Sequence, residues 1–129
     1  MKKDIEFAPV ENVTVTVAKM DDDWGVFLLN RTPHVLDTIL ITSKGYGTKD
    51  GASQKTSTLR HGIPHLEPGQ YAKIETIKSE VFHLTNEFWV SYYIGKTIYD
   101  KKFLFLPDSI IDENLINIPE IGAQGVLHD

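Results

Sequence analysis

The sequence contains no cysteine, which excludes disulfides, thiolate catalysis and sulfur-ligated zinc. It has no apolar run near the roughly 18 residues that a membrane-spanning helix needs. Neither a glycine-lysine phosphate loop nor the glycine-flanked serine of a nucleophile elbow occurs. Basic residues are in deficit, 13 against 18 acidic, giving a net charge of −5. Nucleic acid is therefore not an expected partner, because that binding rests on clustered Lys and Arg neutralising phosphates. The start, residues 1–6, is charged with no apolar stretch behind it, so it does not read as a signal peptide and a cytoplasmic location is expected.

What is present suits a globular chain. The 129 residues are 41% hydrophobic and 24% charged, enough to bury one core without staples. Charge is unevenly spread. Residues 44–78 carry six bases and three acids, whereas residues 107–129 carry five acids and no base.

Period-two alternation dominates. Val13, Val15 and Val17 alternate with Thr14, Thr16 and Ala18, the pattern of a half-buried strand. Asp21, Asp22 and Asp23 break it as a turn. Residues 24–29 are apolar on both faces and read as a central strand. Residues 35–42 form a β-branched strand, and Gly45, Gly47 and Gly51 mark a loop. A short edge strand is expected over 55–61, and a further strand over 71–77.

The sharpest signal is the last hairpin. Residues 87–94 and 97–106 flank Gly95-Lys96, which suits a two-residue type II′ turn. That turn pairs Tyr92 with Tyr99 and Phe88 with Phe103 on one side, and Trp89 with Lys102 and Tyr93 with Ile98 on the other. The first set, joined by Val90, Ile94 and Phe105, is the expected core face. A slip of one residue would exchange the two faces.

Seven or eight strands spaced this way predict an all-β, antiparallel β-sandwich. The domain is expected to span residues 1–106. Residues 107–129 form a C-terminal arm, with one or two helical turns over 109–116 capped by Ser109. The arm holds Ile110, Ile111, Leu115, Ile116, Ile118, Ile121, Val126 and Leu127, too many aliphatic residues for a solubilising tail. It is expected to pack on its own sandwich or on a neighbouring subunit.

Candidate sites are few. Within residues 44–61, Lys44, Lys55 and Arg60 stand with Tyr46, Lys49 and three glycines, where cations and backbone amides could meet an anion. A polar hairpin loop with its lysines in solvent is the expected reading. His61 and His65 have metal-like i, i+4 spacing, but Gly62 and Pro64 forbid the helix that would align them. His83 or Glu67 would have to complete a zinc shell, while His34 and His128 stand apart, so no metal is expected. The Asp21–Asp23 turn lacks a second acidic loop to complete a calcium shell. Trp89 and Tyr93, with Lys102 across the strand, form an aromatic platform suited to a sugar, a peptide or a proline. Coverage of both rings by the facing sheet or the arm is expected, since exposed aromatic patches are rare on monomers.

Residues 26–30, followed by 36–41, resemble the strand, Asn, turn, strand pattern of immunoglobulin-like and fibronectin-like sandwich modules. Residues 66–74, with Pro68-Gly69, resemble the Pro-Gly corner that leads into a later strand of such modules. The chain as a whole is similar to small bacterial single-domain proteins, in residues 43–47, 55–61, 86–90 and 99–103. These resemblances imply an immunoglobulin-like fold and transfer no functional residue. The expected function is a non-catalytic module that binds protein or peptide and self-associates as a homo-oligomer, with no cofactor and no membrane partner. The alternatives are a small-ligand module for carbohydrate or an anion, and a hydrolase centred on His61 and His65.

Overall fold

Alternating apolar residues become ten strands among the residues that the structure, a computed structural model, describes, 8–128. The charged start, residues 1–6, lies outside the described residues. In chain order the strands are β1 (Val13–Lys19), β2 (Trp24–Asn30), β3 (Leu36–Lys49), β4 (Ala52–Lys55) and β5 (Leu59–Leu66). They continue with β6 (Tyr71–Ile77), β7 (Thr85–Ile94), β8 (Thr97–Phe105), β9 (Ile116–Ile118) and β10 (Ala123–His128). The first sheet runs β6-β2-β1-β10-β9. The second runs β4-β3-β7-β8, with β5 also on β3, alongside the part of it that β4 leaves free. All of these pairs are antiparallel, and the two sheets enclose one core. The chain is an antiparallel β-sandwich.

The last hairpin has the register set by its turn. Phe88 opposes Phe103, Trp89 opposes Lys102, and Tyr92 opposes Tyr99. Gly95 has φ 59° and Lys96 is not left-handed, the signature of a type II′ turn. Phe88, Val90, Tyr92, Phe103 and Phe105 are buried, and Tyr99 packs against them, its ring stacked on Tyr92 at 5.2 Å. Burial, and then the neighbouring Tyr99, push the Tyr92 phenol far above its usual value.

Three expectations are corrected. Gly45 and Gly47 lie within β3 rather than in a loop, and the chain reverses at Asp50-Gly51, φ 52° and 78°. That is a type I′ hairpin joining β3 to β4. β1 is buried on both faces, not one. Thr14 and Thr16 donate to the carbonyls of His128 and Val126, which allows two hydroxyls inside. Behind this sheet Ala18, Phe27, Leu29 and Ile118 form a second, small core. Lastly, the helical turns expected over 109–116 shrink to one 3₁₀ turn, Asp112–Asn114, with Ile111 and not Ser109 at its N-cap. Ser109 Oγ instead donates to the Leu106 carbonyl at 2.7 Å. Burial of Ile110 draws the chain inward there, and Ile111 is extended.

Candidate functional site

In a paired sheet, residues directly opposite point to the same side, so the ladder decides which side chains meet. Lys44 opposes Glu87, and Thr42 lies between Arg60 and Trp89, with Lys102 beyond Trp89. Tyr46 opposes Lys55. The seven residues Trp89, Tyr93, Lys102, Lys44, Tyr46, Lys55 and Arg60, read from the sequence as two separate groups, thus share one face of the second sheet. It is the face turned away from the other sheet. Neither the facing sheet nor the C-terminal segment covers it, contrary to expectation: Leu40, Trp89 and Tyr93 are 57%, 45% and 39% exposed.

Polar contacts fix this face. The Trp89 indole N–H donates to both Asp100 oxygens, at 2.9 and 2.8 Å, and the Lys102 ammonium lies 4.7 Å from the ring centroid. One ring face is therefore already occupied by a cation. Glu87, 3% exposed, accepts from the Tyr46 hydroxyl at 3.1 Å and has the Lys44 and Lys102 ammoniums at 3.8 and 3.9 Å. Burial raises the Tyr46 pKa, and donation to Glu87 raises it further.

The charges are sorted along the strands. Lys44, Lys55, Arg60 and Lys102 lie toward one end, around the buried Glu87. Asp37 and Asp100 lie toward the other, with Leu40, Trp89 and Tyr93 between or beside them. Lys96 and Asp50 sit in the turns beyond the face. Sequence reasoning missed Leu40, Asp37, Asp100 and Glu87. A bulge in β3 between Asp37 and Leu40 shifts the alternation that would have placed Asp37 with the others.

The anion reading of residues 44–61 finds no cradle. The Gly45 amide donates to Thr56 Oγ1 at 2.7 Å, and the Lys44 ammonium faces Glu87. His61 and His65 lie on one strand, about 13 Å apart along an extended backbone. His65 is exposed opposite Asp37, while His61 turns toward β6, its Nε2 at 2.9 Å from Glu75 Oε1. Ser43 Oγ donates to the same oxygen at 2.6 Å. A serine proton held by a carboxylate that also holds the histidine is not the arrangement of a nucleophile activated by its base. His83 bonds Gln54 at 2.8 Å, His128 meets the edges of Phe103 and Phe105, and Glu67 lies exposed in the turn before β6. Among the described residues no three His, Asp or Glu side chains are grouped to hold a metal, the exposed Asp21–Asp23 turn included. No helix in the described residues is long and apolar enough to cross a membrane.

No protein-family model, curated protein or solved structure matches the chain.

Proposed function

We propose that the protein is a non-catalytic interaction module whose partner is a second copy of itself, docked through the outer face of β5-β3-β7-β8. The observation that carries this is the sorting of charge around Leu40, Trp89 and Tyr93. A twofold axis lying in the plane of the face and across the strands sets the basic end of one copy on the acidic end of the other. Closed twofold pairing of one patch with itself is the commonest form of assembly. The aromatic centre with a charged rim matches the composition of protein interfaces. Lys102 stacked on Trp89 takes one ring face from a sugar and favours a protein surface. The shared Glu75 oxygen supports a non-catalytic role, and a cysteine-free chain suits the cytoplasm. Kinship with immunoglobulin-like and fibronectin-like modules belongs to the same proposal. It is supported by the neighbours β1-β2-β6 in one sheet and β5-β3-β7-β8 in the other, the order expected if β9 and β10 extend such a module.

Light scattering across a concentration series tests the reading. The full chain should form a dimer that weakens with salt, and Trp89→Ala should weaken it about tenfold or more. Arg60→Asp and Asp37→Arg should each be monomeric alone and pair when mixed, because the mixture restores opposite charges at both ends. A chain that stays monomeric at every concentration, or a mixture that does not pair, overturns the proposal.

A further inference from the structure

On the opposite side of β3, between the two sheets, lies an open cleft of about 370 Å³, walled by Ser43, Thr56, Leu59, Glu75, Asn86 and Phe88. The size falls in the range of small-molecule sites, roughly 300–1,000 Å³. It opens where β5 and β6 border their sheets without pairing to each other.

The hydrogen bonds in this cleft are one-sided. Its principal donors are spent within the protein. The Ser43 hydroxyl donates to Glu75, the Thr56 hydroxyl to the Ser57 carbonyl at 3.0 Å, and the Gly45 amide to Thr56. Asn86, 4% exposed, uses its amide N–H groups on the Val81 and Leu84 carbonyls at 3.0 and 3.2 Å. Apart from Lys78 and Glu80, an exposed base and an exposed acid that also line the cleft, what remains is acceptor. Glu75 Oε1 takes two donors, but Oε2 has no donor among the described residues, and neither has Asn86 Oδ1. Glu75 is held in place by Ser43 and His61, so its free oxygen is already oriented. The nearby Lys44 ammonium is turned to Glu87 on the outer face and does not neutralise it. Leu59 and Phe88 give the cleft an apolar wall.

A charged acceptor beside a neutral one and an apolar wall calls for a cation with several N–H donors and an apolar body. We infer that the cleft is a binding site for a small primary ammonium compound, with Glu75 Oε2 as its counter-ion. The site is separate from the outer face and needs no second copy of the chain.

Amide NMR of the ¹⁵N-labelled full chain, titrated with benzylammonium chloride, tests this. Saturable shifts are expected at Ser43, Gly45, Glu75 and Asn86, with benzyl alcohol binding about tenfold more weakly or worse, since the charged hydrogen bond is the larger contribution. Glu75→Gln should weaken benzylammonium binding by a similar factor and leave benzyl alcohol unchanged. If that variant does not fold, the comparison of the two probes on the unaltered chain still decides. Absent or non-saturating shifts, equal binding of ammonium and alcohol, or full binding by folded Glu75→Gln would each overturn the site.

Discussion

Asn30 ends β2 with its side chain buried, and its amide group gathers two turns into one corner. Nδ2 shares its two N–H groups among the carbonyls of His34, Leu66 and Glu67, at 2.8, 3.0 and 3.1 Å. Oδ1 accepts from the Thr32 amide and hydroxyl at 3.0 and 2.7 Å. The backbone adds Asn30 N–H to the Gln70 carbonyl and Gly69 N–H to the Asn30 carbonyl. Pro68 and Gly69, φ 77°, form the turn that meets it, with glycine at the position where a type II turn requires a left-handed residue. Only an amide supplies both donors and an acceptor here. Asn30→Ala should lower stability by about 2–4 kcal/mol in urea titration, because buried carbonyls lose their donors. Asn30→Asp should be at least as damaging, since it turns a carboxylate toward three carbonyls. A loss below about 1 kcal/mol for Asn30→Ala would show that water replaces these bonds without cost.

Among the elements, β10 depends on its partner most closely. It lies between β1 and β9, and Gly125 opposes Ala18 on one side and Ile116 on the other. A Cβ on Gly125 would collide with Thr16 Oγ1 and stand 3.1 Å from the Val17 carbonyl oxygen. The second contact is backbone, which cannot swing aside. Gly125→Val should cost at least about 1–3 kcal/mol, the range for overpacking, read as a lower melting temperature. An unchanged melting temperature would mean that β10 moves away from β1 freely. The two hairpins show why some elements were legible and others not. Gly95-Lys96 sits between long apolar runs, so its register could be read from the sequence residue by residue. Asp50-Gly51 is an equally strong turn signal, but the Thr, Lys and Ser around it hid the strands. The pairing of β10 is not legible in the sequence, because β1, its partner, lies more than a hundred residues away. Site residues followed the same rule. The pairing of Trp89 with Lys102 is local to one hairpin. The meeting of Trp89 with Arg60 depends on β3 carrying β5 on one side and β7 on the other.

For the whole molecule, the question is whether the sandwich ends at β8. Residues 107–129 hold an acidic surplus, yet their aliphatic side chains enter both cores: Ile110 and Val126 in the main one, Ile118 in the smaller. Arg31 in the β2–β3 turn grips Glu120 through Nε and a terminal nitrogen, at 2.6 and 3.1 Å, tying this segment to the opposite edge of β1. The hydrogen bond from Arg31 lowers the Glu120 pKa below its usual 4.5. A depressed carboxylate contributes stability above that usual value and loses it as the pH falls through the lower folded one. The tie therefore holds at neutral pH and weakens in acid. Removing everything after Pro107 deletes β9 and β10, opens the edge of β1, and strips the partners from Thr14 and Thr16. Three buried aliphatic side chains alone amount to about 5–9 kcal/mol, at roughly 1.5–3 kcal/mol each. That is comparable to the whole stability of an ordinary domain, about 5–15 kcal/mol. The truncated chain should lose its cooperative melting transition and the near-ultraviolet circular dichroism of its packed aromatic residues, and it should aggregate through the opened β1 edge. Retention of the full-length melting temperature by a monomeric truncated chain would place the end of the folded unit at β8.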